Sequence, residues 1–241
     1  MNEFYSGDCL ELLDRIKDNS IDYINVDPPY FIKYDDWNNQ WKSDDEYLEW
    51  CRLWTGECER ILKPNRMLTV WGTLKTDLFL RYKLEVLNST SLFPQHEIIW
   101  SYNWGGRGKS NFARKHEYAW NYSKLKKFLF NDNDIRVERK TKNNLRTGKA
   151  YTIGTIPTCV WEKNNHTSSK EHCSWHSTSK NIFILQRMIR AYTNIGDTVL
   201  DFFGGSGSTA IACKREGRNF IYNDVSDKYL ELAKERIEIL G

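Results

Sequence analysis

No run of apolar residues in this chain approaches the ~18 needed to cross a membrane as a helix, and Met1-Asn2-Glu3-Phe4-Tyr5 lacks the charged and apolar blocks of a secretory signal. A cytoplasmic location with no membrane partner is the expectation. The six cysteines (Cys9, Cys51, Cys58, Cys159, Cys173, Cys213) include no CxxC pair, so neither a disulfide framework nor a redox motif is indicated. Cys159, His166, His172, Cys173 and His176 fall at spacings that match no common zinc ligand pattern, and no metal is expected. No internal repeat or low-complexity tract is present. The net charge of +3 is too small to imply a nucleic-acid partner by itself.

The distribution of charge says more. Between Arg107 and Lys149, thirteen basic side chains stand against Glu117, Asp132, Asp134 and Glu138, a local excess of nine that leaves the rest of the chain at −6. One segment therefore carries the positive field, as a phosphate-binding surface would. Aromatic content is 14%, with 10 Trp and 13 Tyr, and flat side chains suit nucleobases as well as cores.

The stretch that organises the chain is Asp27-Pro28-Pro29-Tyr30, which ends the β-branched run Ile21-Asp22-Tyr23-Ile24-Asn25-Val26. Proline cannot continue a ladder, so the run reads as a buried strand that delivers an acid to the sheet's edge. Two prolines fix φ and remove two donors, leaving a carboxylate and loop carbonyls as acceptors beside an aromatic ring. Such a cluster suits a planar group bearing an NH2, and the exocyclic amine of a nucleobase fits. The plainer reading is a strand end with an Asp-Pro turn.

Elsewhere, strands and helices alternate. A strand over Phe4–Asp8 leads to a helix over Cys9–Lys17. After the strand to Asp27 comes a Trp-rich loop over Phe31–Asp44, with Trp37 and Trp41 four apart, which is either a lid or surface cover. Ser43 or Asp44 caps a helix over Glu46–Leu62, ended by Lys63-Pro64-Asn65. Arg66–Gly72 is the next strand, Leu74–Leu87 a helix, His96–Tyr102 and Glu117–Tyr122 strands, and Phe128–Phe130 a continuation or neighbour of the last. Asn131–Ser174 has no sustained period and reads as a polar, basic insert, or as disordered in places. Periodicity resumes with a helix over Ile182–Ala191, a strand over Thr198–Phe203, a helix over Ala210–Arg215, a strand over Asn219–Val225 and a helix over Asp227–Leu240. The alternation predicts an α/β fold with a doubly wound, mostly parallel sheet and a small inserted recognition region.

Gly204-Gly205-Ser206-Gly207-Ser208-Thr209 joins a strand to a helix N-terminus, where small residues let a ligand approach backbone N–H groups. Asp224 ends the following strand, where an acid can accept both hydroxyls of a ribose. The same pattern matches a dinucleotide fingerprint, so glycines alone do not separate NAD from S-adenosylmethionine.

The two motifs together do. Asp201-Phe-Phe-Gly-Gly-Ser-Gly207 resembles the cofactor motif of S-adenosylmethionine-dependent amino-methyltransferases, and Asp27-Pro-Pro-Tyr30 resembles their catalytic motif. The catalytic motif comes first, with a basic insert between, which is the circularly permuted order of the β class of DNA methyltransferases of the restriction-modification kind. Gly7-Asp8 resembles the acid that contacts the cofactor's adenine, Arg60-Ile-Leu-Lys63-Pro64 the helix end after the catalytic strand, and His176-Ser-Thr178-Ser-Lys180 the stretch that closes over the cofactor. Phe202, Ser177, Asn181 and Asn223 depart from the usual residues.

The resemblance implies a Rossmann-like methyltransferase fold with residues 1–130 as catalytic half, 131–175 as target-recognition insert and 176–241 as cofactor half. It implies Asp27, Pro28, Pro29 and Tyr30 as catalytic residues. Asp8, Cys9, Asp27, His176, Thr178, Lys180, Asp201, Phe203, Gly205, Ser206, Gly207 and Asp224 become the cofactor residues. The basic segment offers Arg107, Lys109, Arg114, Lys115, Arg136, Arg139, Lys140, Lys142 and Arg146 to double-stranded DNA. The implied reaction transfers a methyl group from S-adenosylmethionine to the N6 amine of a flipped-out adenine, with Tyr30 stacked on the base and Phe31 or a lid tryptophan as the second face. Cytosine N4 is the alternative, because the amine chemistry is shared; an NAD-binding oxidoreductase or a silent DNA-binding protein would leave more of the sequence unexplained. The resemblance is compatible with a companion restriction endonuclease and with a homodimer, and fixes neither.

Overall fold

The computed structural model describes residues 2–31, 40–74, 76–103, 110, 112–139, 154–163, 171–176 and 178–241. In chain order the elements are β1 (Asn2–Ser6), α1 (Cys9–Arg15), β2 (Ile21–Val26), α2 (Asp44–Ile61), β3 (Leu62–Gly72), α3 (Leu78–Arg81), β4 (Phe93–Ser101), β5 (His116–Ser123), β6 (Val160–Glu162), α4 (Ile182–Tyr192), β7 (Thr198–Asp201), α5 (Ser208–Arg215), β8 (Asn219–Asp224) and α6 (Asp227–Leu240). The eight strands form one sheet in the order β1-β8-β7-β2-β3-β5-β4-β6. All neighbours are parallel except β5, which runs antiparallel to both β3 and β4.

Helices cover both faces. On one, α1, α2 and α3 bury Leu13, Tyr47, Trp54, Ile61 and Phe79 against the sheet; on the other, α4, α5 and α6 bury Leu185, Met188, Ile211 and Ile237. With both faces covered, a central parallel strand is enclosed completely, and all six residues of β2 are buried. The strand order reverses between β2 and β7: the chain proceeds from β2 to β3 on one side and from β7 to β8 on the other. That reversal opens a crevice beyond the carboxyl ends of the two strands, the place where open α/β sheets bind ligands. Asp27 and Asp201 lie at its two lips.

Four sequence expectations need correction. The helix ends just before Lys63-Pro64-Asn65 as expected, but the strand expected from Arg66 begins already at Leu62, so these three residues lie inside β3, where the pairing with β2 slips between Ile21 and Tyr23. A slipped ladder has no bond for Pro64 to break. The helix expected over Leu74–Leu87 is α only over Leu78–Arg81, and Tyr82–Val86 and Leu87–Ser89 follow as a π turn and a 3-10 turn. Phe128–Phe130 is not a strand: Leu129 N–H bonds the Asn65 carbonyl at 3.0 Å and Phe128 packs on His96 and Tyr192. The basic insert, expected to be irregular, supplies the edge strand β6 and an isolated bridge between Val137 and Thr155.

One charged cluster anchors the opposite end of the sheet. Asp22 is 3% exposed and meets Lys63 at 2.8 Å and Arg66 at 3.0 Å, while it accepts the Thr198 N–H at 3.0 Å; Arg66 also reaches Asp197 at 2.8 Å. Removing one member strands the others. Asp22→Ala is expected to cost about 3 kcal/mol, measured as a lower denaturant midpoint with an unchanged slope; a midpoint equal to wild type would show the cluster to be dispensable.

Candidate active site

The first lip of the crevice is Asp27-Pro28-Pro29-Tyr30. Tyr47, from α2, donates its hydroxyl to the Pro29 carbonyl at 2.8 Å and so fixes the far end of the proline pair. The Tyr30 hydroxyl donates to Asp27, and its ring meets Phe79 edge-on at 5.2 Å. Burial first, and then the Asp27 charge, push the Tyr30 phenol well above its ordinary value, so it remains a donor. Phe31 turns the chain with φ +50° and stacks on Tyr47 at 5.7 Å. Trp41 is not a lid over the motif: it lies 9% exposed, edge-on to Tyr47 at 4.9 Å, in the α2 core. Trp37 lies outside the described residues.

The second lip is the glycine loop after β7. Gly205 takes φ +46° and Gly207 φ +74°, and a Cβ on Gly205 would stand 2.6 Å from His176 Nε2. Gly205 N–H donates to Asp224 at 2.9 Å, and Ser226 N–H donates to the other Asp224 oxygen at 2.9 Å. Tyr222 donates its hydroxyl to the Gly205 carbonyl at 2.7 Å, so the loop and the acid at the tip of β8 form one rigid unit. Asn223, an unusual residue in the sequence comparison of motifs, has a use here: its amide donates to the Gly7 carbonyl at 3.2 Å and the Phe202 carbonyl at 3.3 Å. It ties the end of β1 to the loop. Asp8 caps α1 by accepting the Leu10 N–H at 2.7 Å, while Cys9 is buried, its thiol pushed up to about 12 by burial.

His176 covers Gly205 and meets Tyr229 edge-on at 5.5 Å, with Trp175 stacked on the same tyrosine at 5.9 Å. Thr178 is exposed, and Phe203 packs edge-on against Trp54 at 5.7 Å. Asp201 is 7% exposed; burial raises its carboxyl to about 7, against the lowering effect of Thr209 and the Phe203 N–H, which it accepts at 3.2 Å. The donor set suits an adenosine carrying a cationic group: carboxylates at Asp8, Asp224 and Asp201, exposed backbone at glycines, and a ring over the loop.

Lys180 joins the lips. It is 9% exposed, its ammonium contacts the Asp27 carboxylate and lies 3.2 Å from Glu117, and it sits over the rings of Trp71 and Tyr30 at 5.5 and 5.9 Å. Burial alone would lower this ammonium; Asp27 and Glu117 together outweigh burial and hold it above the ordinary lysine value.

Sequence reasoning missed Glu117, counted only as a charge within the basic segment. It also missed Arg236, read as one position of an amphipathic helix. Arg236 is 8% exposed and donates to the Ser206 carbonyl at 2.7 Å, the Ser208 hydroxyl at 3.1 Å and the Glu171 carbonyl at 2.9 Å. Ser206 and Ser208 also share a hydrogen bond at 3.0 Å. No local spacing announces either residue, since each acts across the fold.

Among the basic candidates, Arg114 is exposed and Lys115 donates to the Asn103 carbonyl at 2.9 Å. Both precede β5, which pairs Tyr118 with Gly72 at the carboxyl end of β3, so they stand on the Asp27 edge of the sheet. Arg136 turns inward to Asp132, to Asn133 at 3.1 Å and to the Gly154 carbonyl at 3.0 Å, and Arg139 is half-buried. Arg107, Lys109, Lys140, Lys142 and Arg146 lie outside the described residues.

An acid-proline loop facing a glycine cradle across a switch point defines a transferase-like α/β enzyme for a nucleotide-bearing ligand. The signature of the DNA methylase family (N6_N4_Mtase) matches residues 21–235, and the chain belongs to that family. It is 32% identical over 242 residues to the Type II methyltransferase M.HpaI of Haemophilus parainfluenzae, covering 96% of this chain and 73% of the relative. It is 29% identical to the DNA adenine methyltransferase YhdJ of Escherichia coli K12, covering 97% and 81%. The fold matches the cytosine-N4-specific PvuII DNA methyltransferase with a TM-score of 0.77 at 19% identity, over 98% of this chain and 86% of that one. It also matches the M1.HpyAVI-SAM complex with a TM-score of 0.68 at 23% identity, over 98% and 99%.

The raised Asp201 carboxyl sets a pH dependence. Below about pH 4 both folded and unfolded chains hold the proton; between there and about 7 the folded chain alone keeps it, so stability falls as pH rises and then levels. Asp201→Asn is expected to flatten that fall. Denaturant midpoints at pH 4.5, 6 and 7.5 for both proteins check it, and parallel profiles would contradict it.

Proposed function

We propose that the protein is a site-specific DNA methyltransferase that moves a methyl group from S-adenosylmethionine to the N6 amine of an adenine flipped out of double-stranded DNA. The observation that carries this reading is the placement of Asp27-Pro28-Pro29-Tyr30 directly across the β2–β7 switch from the glycine loop and Asp224. The name of one relative, the DNA adenine methyltransferase YhdJ, supports adenine.

S-adenosylmethionine supplies an activated methyl on a sulfonium, and the chain's own task is geometry and electrostatics. The Asp224 carboxylate, which accepts from two backbone donors, would hold the ribose hydroxyls, and Asp8 would meet the adenine of the cofactor. Burial raises the Asp201 carboxyl, and a cationic group bound beside it would favour the carboxylate form, the proton passing to water. The amine to be methylated is a weak nucleophile because its lone pair belongs to the ring. Asp27 and the Pro28 carbonyl accept its two hydrogens, which favours a pyramidal nitrogen with the lone pair aimed into the crevice. Asp27 then faces the positive charge that grows on nitrogen. Tyr30, fixed by Asp27 and Phe79, stacks on the base.

Arg114 and Lys115 are placed for phosphates on the same edge, and residues 131–175 form the target-reading region of this proposal. Type II methyltransferase relatives support a restriction-modification role; a companion endonuclease, a cytoplasmic location and a homodimer are further parts of this proposal. No described helix is long and apolar enough to cross a membrane.

Incubation with unmethylated DNA and methyl-labelled S-adenosylmethionine, followed by nucleoside analysis, tests the proposal. N6-methyladenine is expected, falling at least about 100-fold with Asp27→Ala while cofactor binding persists. N4-methylcytosine instead would overturn the base, and no methylated base would overturn the reaction. Tyr30→Ala is expected to raise KM for DNA and to lower kcat by about tenfold or more, through a lost stacking contact worth about 1–3 kcal/mol.

A further inference from the structure

We infer that Glu117 and Lys180 form with Asp27 a three-membered ion cluster that positions the Asp27 carboxylate and leaves the cluster with one net negative charge, so that both act as positioning residues for amine methylation. The inference rests on the reading above that Asp27 receives the amine.

Lys180 reaches Asp27 and Glu117 from the stretch before α4, 153 residues along the chain from the acid it touches. Its side chain is 8% exposed, that of Glu117 18% and that of Asp27 23%, so the three charges are screened less than they would be in water. Trp71 and Tyr30 present ring faces to the ammonium at 5.5 and 5.9 Å, adding cation–π contacts to the two carboxylates. Asp27 is thereby held at both oxygens: one accepts from the Tyr30 hydroxyl, the other from Lys180. A carboxylate with each oxygen fixed is confined to one orientation, and each oxygen keeps a further lone pair with which to accept.

The charge count explains why two acids are needed. An Asp27–Lys180 pair alone would be neutral, and a neutral pair has no net field with which to meet the positive charge growing on the amine nitrogen. Glu117 compensates the lysine and restores Asp27 as an effective anion. It comes from β5, the antiparallel strand that the doubly wound pattern does not require, and β5 is paired to β3 from Gly72 to Met67, so its position is rigid. Lys180 thus orients, and Glu117 sets the sign.

The test is a cycle of Glu117→Gln, Lys180→Met and the double variant, with kcat and the S-adenosylmethionine dissociation constant measured for each beside wild type. Glu117→Gln is expected to lower kcat about tenfold, and Lys180→Met about 100-fold, because Asp27 and Glu117 then confront each other without a cation. The double variant is expected to be about tenfold more active than Lys180→Met, since it removes the second carboxylate together with the lysine. Cofactor affinity is expected to stay within about threefold throughout.

A Lys180→Met whose loss lies in cofactor affinity, unrelieved by Glu117→Gln, would make Lys180 a cofactor ligand and overturn the inference. If Lys180→Met fails to fold, Glu117→Gln decides: an unchanged kcat sinks the cluster, and a reduced kcat with cofactor affinity intact supports it. Wild-type protein that methylates no adenine would instead sink the reading of the reaction, and cofactor affinity then decides the cluster: no loss across the cycle supports positioning, and a loss confined to the Lys180 variants overturns it.

Discussion

A charged ammonium inside a protein has to be met by carboxylates, and Lys180 is met by two. This requirement joins parts of the chain that are distant in sequence: the stretch after the basic insert, the acid-proline motif and the antiparallel strand β5. Lys180 at Asp27 and His176 over Gly205 mark a crossing of the crevice from one lip to the other. Arg236 secures the start of the same crossing through the Glu171 carbonyl and the glycine loop through the Ser206 carbonyl. Both lips of the crevice are therefore held by buried cations, Lys180 by carboxylate oxygens and Arg236 by backbone and hydroxyl oxygens.

Rigidity at the site has a consistent source. The proline pair lacks the donors that would let its loop rejoin a ladder, and Tyr47 holds the Pro29 carbonyl from α2. The glycine loop adopts left-handed backbone at Gly205 and Gly207, and Asp224 holds Gly205 from the neighbouring strand. In each case a loop at a strand end is fixed by a side chain from another element. A reaction that depends on aligning a poor nucleophile with an activated methyl needs this kind of preorganisation more than it needs an acid or base of special strength.

Much of this was legible in the sequence, and the boundary is physical. Six buried residues ending at Asp-Pro-Pro, a glycine loop at a helix start and an acid at the next strand's tip are local signals, because strand period, proline and glycine act over a few residues. Ser43 as the cap of α2 was legible for the same reason: it accepts the Glu46 N–H at 3.2 Å. The strand character of Lys63-Pro64-Asn65 was not, since it depends on a slipped register with β2. Nor was β6, three residues whose pairing with β4 is decided by the sheet and not by their own pattern. Glu117 and Arg236 were invisible as site residues because their partners lie 63 and 30 residues away, at Lys180 and Ser206.

The departures from a purely apolar core follow the same logic and set the sheet's register. Asn25, in the fully buried β2, donates to Thr209 on α5 at 3.0 Å and accepts from Trp71 on β3 at 3.0 Å. Tyr23 donates to Thr69 at 2.9 Å, Thr69 to Asn121 on β5 at 2.6 Å, and Asn121 to the His96 carbonyl on β4 at 3.1 Å. A chain of polar groups thus runs from the helix that follows the glycine loop, across β2, β3 and β5, to β4. An apolar sheet could slide by two residues and bury much the same area, but a slide here would strand several buried donors, each costing about 1–3 kcal/mol. The polar chain therefore fixes β5 relative to β2, and with it the position of Glu117 relative to Asp27. Apolar burial supplies the sheet, and the few polar residues within it decide which carboxylate stands beside which.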